Sequence, residues 1–265
     1  MTAAPAVRRE VVPVLLYHRI GVAGDRFTVS PSAFRRHIAF LADRMADGWQ
    51  PVPITTLGDA LHGRASLPPR AFCVTFDDGF SDTLPAMEEL GRRRIPSTVY
   101  AVPSFVGRPG MLSKRELERL AGSPWAQVGA HSHSHPWMDE LTPQEARREA
   151  LASRSWLEPV VGAPITTFAY PHGAYSAHTR AAVVSAGYSS ACAVKNAWSH
   201  PRDDPFAIAR WTLTSKSDLR ELHRLFAGSV PKAWSRERLR TRGWRMARRL
   251  RRRIAGGSPT EHDAG

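Results

Sequence analysis

Ala71-Phe72-Cys73-Val74-Thr75-Phe76-Asp77-Asp78-Gly79 is an apolar run that ends in two adjacent carboxylates and a glycine. Its Val and Phe content reads as a buried strand. Adjacent aspartates at a strand end repel each other, and desolvation sharpens the repulsion unless a cation or a proton lies between them. Gly79 allows the backbone to turn sharply after them. In an α/β chain, polar clusters at the carboxyl ends of strands are where catalytic groups sit. An ordinary Asp-Asp-Gly turn fits the same letters, so the reading depends on what else the chain holds.

The next informative stretch is Val128-Gly129-Ala130-His131-Ser132-His133-Ser134-His135-Pro136. His131 and His135 are four residues apart, a spacing that puts two imidazoles on one face of a helical turn. Two nitrogens so placed can reach one ion, and imidazole with carboxylate suits Zn²⁺ and other late divalent metals. A His-rich surface loop is the competing reading. His133, on the same helical turn, is expected to point away from the ion.

Together the two stretches resemble the polysaccharide deacetylase family, the NodB-homology domains or carbohydrate esterase family 4. Thr75-Phe76-Asp77-Asp78-Gly79 is similar to its first motif, and His131-Ser132-His133-Ser134-His135 to its H-[ST]-x-x-H motif. Phe168-Ala169-Tyr170-Pro171-His172-Gly173 is similar to the F-A-Y-P-x-G form of its third motif. Order and spacing agree over about residues 11–215. The resemblance implies a distorted (β/α) barrel and a metal-dependent hydrolase that removes the N-acetyl group of an amino sugar in a glycan or lipid-linked saccharide. Another acyl group at the same site, or a non-catalytic glycan- or lipid-binding module, are the alternatives.

Residue roles follow from the same resemblance. Asp78, His131 and His135 would hold a divalent metal, with Zn²⁺ expected and Co²⁺, Ni²⁺, Mn²⁺ or Fe²⁺ as alternatives. Asp77 would be the general base. Tyr170, Pro171, His172 and Gly173 would line the oxyanion and substrate site, with the backbone N–H on His172. The family's late L-x-H motif, whose His acts as general acid, has no good copy here, since Leu222-His223 lacks the spacing. Leu16-x-His18 fits at the amino terminus, as it does in relatives with an early Y-H. First and last strands of a barrel are neighbours, so His18 is the expected acid, with His172 as the second candidate. The commoner third motif has an Arg where Ala169 stands, which steadies the catalytic Asp. Arg210 is either its substitute or an ordinary surface arginine.

The remaining chain supports an α/β architecture. At 265 residues with 42% apolar content it can bury a large core. Strands are expected at Val11 to Tyr17, Ser97 to Val102, Val128 to Ala130, Thr166 to Ala169 and Ser189 to Val194, alternating with helices. Ser30-Pro31 and Thr142-Pro143-Gln144-Glu145 read as helix starts, the second helix continuing to about Leu157. Phe34, Ile38, Leu41 and Met45 form an apolar stripe in the first helix. Such alternation argues a parallel sheet. Cys73 and Cys192 lie in apolar segments and read as buried free thiols. No apolar run of membrane-spanning length occurs, and residues 1–12 lack the apolar core of a secretory signal. A cytoplasmic location is therefore expected.

The net charge of +13 is concentrated at the end of the chain. Between Lys232 and Arg253 eleven basic residues face one acid, Glu237. Leu239, Gly243, Ala247, Leu250 and Ile254 fall on one helical face. This pattern reads as a basic helical segment, 216–254, that lies on an anionic membrane surface through residues 232–254. A solvated tail and nucleic-acid binding are weaker readings, and no obligate protein partner is evident. Residues 255–265 read as a disordered tail.

Overall fold

The computed structural model describes residues 11–22, 24–200 and 203–227. The expected basic segment at 232–254 and the tail at 255–265 lie outside the described residues.

The chain opens with β1 (Val14–Tyr17), β2 (Arg19–Ile20) and β3 (Thr28–Val29), then α1 (Pro31–Ala46), β4 (Gln50–Pro51) and α2 (Ile54–Leu61). The central stretch forms β5 (Ala71–Phe76), followed by α3 (Thr83–Arg92), β6 (Ser97–Ala101), α4 (Lys114–Ala121) and β7 (Ala126–Ala130). Next come α5 (Pro143–Val161), β8 (Thr167–Ala169), α6 (Ala177–Ser185), β9 (Ser190–Cys192), β10 (Trp211–Thr212) and α7 (Leu219–Phe226). The main sheet runs β10-β1-β5-β6-β7-β8-β9, with β4 added beside β5. Its strand pairs are parallel. The sheet curls into a half-barrel, the distorted barrel that the sequence leads one to expect.

All residues of β5 and β6 are buried. Helices and barrel interior cover both faces of these strands, which is why they read as continuous apolar runs and not as alternation. The helix signals act as physical chemistry requires. Ser30 Oγ accepts from Ala33 N, and Pro31, which has no N–H to leave unpaired, takes the first turn of α1. Capping boxes open α4 at Ser113/Glu116 and α5 at Thr142/Glu145. In α1, Phe34, Ile38 and Leu41 are buried as expected, joined by Phe40 and His37.

Two elements differ from the sequence reading. α5 runs a turn past Leu157, takes Pro159 into its last turn, and stops where Gly162 adopts φ +67°. α7 lies beyond residue 215, yet Leu222, Leu225 and Phe226 belong to the main core. The unit expected over 11–215 therefore shares its core with a helix outside that bound. Cys73 and Cys192 are both buried and free.

Parallel order sets the carboxyl ends of four strands on one rim of the sheet, with β6 between β5 and β7. His18 follows β1, Asp77 and Asp78 follow β5, His131 follows β7, and Tyr170 to Gly173 follow β8.

Candidate metal and catalytic site

β1 and β5 pair in register, with Tyr17 opposite Phe76. Asp77 N then donates to Tyr17 O at 2.9 Å, so the ladder continues one residue beyond the strand and carries Asp77 into the mouth of the barrel. Asp78 turns away from the strand direction at φ +71°, and Gly79 follows at +79°. Left-handed backbone is uncommon for a non-glycine residue. Among the described residues six non-glycines have positive φ, and four of them, Asp78, Ser132, His135 and His172, stand in this site. Such strain persists where the surroundings over-determine it, as they do around functional groups.

The segment from His131 to His135 is not the helical turn that the four-residue spacing suggests. Ser132 at φ +58° and His135 at φ +64° break any helix. The two imidazoles converge by another route. His131 continues β7, and its backbone N donates to Ala101 O at 3.0 Å. Ser132 Oγ accepts from His135 N at 2.9 Å and folds the loop back. Glu149 of α5 accepts from His133 N (2.8 Å), Ser134 N (2.9 Å) and Ser134 Oγ (2.7 Å). His133 therefore serves the loop through its backbone.

Asp78 Oδ1 lies 3.4 Å from His131 Nε2 and 3.2 Å from His135 Nε2. Two atoms that each bind one ion at about 2.0–2.1 Å in a tetrahedral shell stand roughly 3.3 Å apart. The donor set thus fits a divalent metal in spacing and in chemistry. His131 is further prepared for it: Nδ1 lies 2.7 Å from Ala169 O, a bond in which the ring must donate. That fixes the tautomer and leaves Nε2 with a free lone pair. Burial pushes the His131 pKa down, but Asp77 and Asp78 outweigh it and raise the value. Burial likewise pushes Asp78 up, yet the adjoining imidazoles of His131 and His135 hold it well below the usual carboxylate range.

Asp77 is a different carboxylate. It is buried, and Arg210 grips it in a bidentate pair, Nη1 to Oδ1 at 2.6 Å and Nη2 to Oδ2 at 2.7 Å. Arg210 has a relative exposure of 0%, which excludes the surface-arginine reading. It precedes β10, which pairs with β1, and its guanidinium lies over the Tyr100 ring, 5.3 Å from the centroid. Burial alone would raise the Asp77 pKa; Arg210, with His131, outweighs this and holds it low.

His18 lies within electrostatic reach of both carboxylates. Burial lowers its pKa more than Asp78 and Asp77 raise it. Its Nδ1 is buried without a hydrogen-bond partner among the described residues. Phe27 packs on its ring at a centroid distance of 4.9 Å. On the other side, His172 sits at φ +56° within Pro171–Gly173. Its exposed ring stands 4.5 Å from His135 and stacks on Trp137 at 3.7 Å with the planes 17° apart. Gly173 is forced by space, because a Cβ there would meet Val194 Cβ at 2.4 Å.

Residues 64–191 match the family model for polysaccharide deacetylases. YxkH of Bacillus subtilis (strain 168), a curated relative that carries a polysaccharide deacetylase name, is 26% identical over 183 residues. That match takes in 67% of this chain and 62% of the relative's length. The fold is similar to that of the Streptococcus pyogenes deacetylase PplD, solved with acetate, at a TM-score of 0.74 and 17% identity, over 82% of this chain and 98% of that one. It is also similar to IcaB from Ammonifex degensii, at a TM-score of 0.71 and 25% identity, over 82% and 97% of the two chains. Over residues 64–191 the chain carries a polysaccharide deacetylase domain.

Within this site, three contributors escape a reading of the sequence. Glu149 gives no motif signal, since it occurs in a run of charged helix residues. Trp137 directly follows Pro136 and could have been noticed as a large aromatic beside the histidine motif. Tyr100 needs Gly129 opposite it, where a Cβ would lie 2.6 Å from its ring. That pairing spans two strands and leaves no local pattern.

Proposed function

We propose that this polysaccharide deacetylase is a metal-dependent amidase that hydrolyses the N-acetyl group of an amino sugar in a glycan or lipid-linked saccharide. One observation carries the reading: a buried carboxylate clamped by Arg210 lies beside, and separate from, a second carboxylate that converges with two imidazoles. A structural ion pair has no need of the second cluster, and a storage site for metal has no need of the first.

Asp78, His131 and His135 would hold a divalent ion, Zn²⁺ being favoured by the donor set, and such an ion would supply Lewis-acid polarisation of the acetyl carbonyl and a more acidic water. The protein's own residues do the rest. Asp77, kept ionised by Arg210, takes one proton from the attacking water. The new C–O bond forms as the carbonyl π bond opens, and the backbone N–H of His172 is assigned to the developing oxyanion. As the C–N bond breaks, the amine nitrogen needs a proton, because an amide anion is a very poor leaving group. His18 is assigned that delivery, since it lies within electrostatic reach of both carboxylates and its buried Nδ1 has no hydrogen-bond partner among the described residues. Acetate and the free amine are the products.

Acetate release from N-acetylglucosamine oligomers tests this directly. Metal-loaded protein is expected to release acetate, chelation to abolish release, and Asp77→Asn to slow it by about 10²–10⁴-fold with metal still bound. Undiminished release by Asp77→Asn would sink the assignment of the base.

The charge and one-sided apolar pattern of residues 232–254 support a second proposal, contact with an anionic membrane surface. Full-length chain is expected to sediment with anionic liposomes, and a chain ending at residue 227 to remain in solution. Equal partitioning of the two would remove the proposal.

A further inference from the structure

Asp82 stands at the start of α3, where an aspartate ordinarily accepts a hydrogen bond from its own helix. Its carboxylate makes no such bond. It reaches across to β2 instead: Arg19 Nε donates to Oδ2 at 2.9 Å, and Ile20 N donates to Oδ1 at 3.3 Å. The Arg19 guanidinium also lies over the Phe80 ring, 4.8 Å from the centroid. The Arg19 and Asp82 side chains are 32% and 22% exposed, and ion pairs so open to water contribute little to stability. Stability alone does not account for the contact.

The residues it encloses do. Asp77 N donates to Tyr17 O at 2.9 Å, the last rung before the two segments part. Asp82 joins them again at Arg19 and Ile20. His18 lies between the two ties on one segment, and Asp78 lies between them on the other. The Asp78 side is anchored elsewhere too, since Ser81 N donates to Gly110 O and Leu112 N to Gly79 O, both at 2.9 Å. A histidine ring is commonly oriented by a bond at its second nitrogen, but His18 Nδ1 is buried with no hydrogen-bond partner among the described residues. Its place is therefore set by the packing of Phe27 and by the backbone on either side of it. We infer that Asp82 is a positioning residue for His18: through Arg19 and Ile20 it holds the proton donor in a fixed relation to Asp77 and Asp78. The inference rests on the assignment of His18 as donor to the leaving amine, and gives neither Asp82 nor Arg19 a part in proton transfer.

An acid matters only where the leaving group needs a proton. An amine does, whereas 4-nitrophenolate leaves without one. Metal-loaded full-length protein is therefore assayed on N-acetylglucosamine tetramer and on 4-nitrophenyl acetate, and the ratio of the two kcat values is followed. Damage to the metal site, the base or the fold lowers both rates, while a displaced acid lowers the ratio. His18→Gln is expected to lower the ratio by about 10²-fold. Asp82→Ala should lower it roughly tenfold without changing KM for the tetramer, because a misplaced group loses rate more than binding. Asp82→Asn keeps the size and one acceptor oxygen, and should lower the ratio by under about threefold. Arg19→Met leaves the Ile20 bond in place and should lower it about threefold. Thermal melts confirm that each variant is folded, and Arg19→Met decides alone where Asp82→Ala does not fold. A ratio lowered by His18→Gln but unchanged in Asp82→Ala and Arg19→Met would overturn the inference and leave the His18 assignment standing. A ratio unchanged in His18→Gln would remove the assignment and the inference with it.

Discussion

Arg210 and Asp77 show how one contact sets the behaviour of a residue. Taking an arginine and an aspartate out of water is costly, and only a close, bidentate geometry offsets the cost. The pair has that geometry and leaves Asp77 ionised in a site where burial would otherwise favour its neutral form. Arg210→Met keeps much of the volume and removes the charge. The Asp77 pKa then rises, so the base becomes protonated at higher pH, and the acidic limb of kcat/KM is expected to move upward. The pH profile of acetate release checks this; a limb that stays in place would show that Arg210 serves only to fill the barrel. The sequence offered Arg210 as a candidate but could not decide between support and surface, because its partner is 133 residues away and no local pattern encodes such a meeting. By contrast, Asp77, Asp78, His131 and His135 were legible. Asp77, Asp78 and His131 are delivered by strand ends and His135 by the loop after β7, so their order along the chain reports their place around the mouth.

At the scale of elements, the strands aim the ligands and α5 holds the loop between them. Two backbone N–H groups and one hydroxyl converge on the Glu149 carboxylate, so a single side chain fixes the loop that carries His135. Outer partners of this kind change metal affinity by about 10–100-fold when removed. Glu149→Ala is therefore expected to weaken metal binding at least tenfold in competition with a chromophoric chelator, while the helix content by circular dichroism stays unchanged. Unaltered metal affinity would mean that Ser132 alone folds the loop. The starts of α1 and α5 could be read, since Ser30 and Thr142 announce them chemically. The conformation of the histidine loop could not. A spacing of four is shared by a helical turn and by any loop that doubles back, and the bonds that choose the loop come from Ser132 and from another helix. β10 escaped for a related reason: two residues, Trp211 and Thr212, are too few for any periodicity to register.

Across the whole molecule, the half-barrel must close over the amino-terminal side of its sheet, and α7 does part of that work. Phe226 packs against Phe40, Trp49 and Phe72 at centroid distances of 5.3, 4.7 and 5.5 Å, and Leu222 and Leu225 are buried beside it. Trp198 Nε1 donates to Leu225 O at 3.0 Å, and Trp211 Nε1 to Glu221 Oε1 at 2.7 Å. The second bond ties α7 to β10, whose amino-terminal neighbour is Arg210. Burying three such apolar side chains contributes roughly 5–9 kcal/mol at about 1.5–3 kcal/mol each. A domain's net stability is only about 5–15 kcal/mol. A chain that ends at residue 215 is thus expected to be largely unfolded or aggregated, and one that ends at 227 to fold. Leu222→Ala in the longer chain is expected to cost about 2–5 kcal/mol. Thermal melts and gel filtration of the three proteins decide the matter. If the shorter chain melts at the same temperature as the longer one, α7 is an appendage and its apolar face must be satisfied by something other than the core. If it fails to fold, the loss of activity on truncation is a failure of the scaffold under Arg210 and says nothing about substrate.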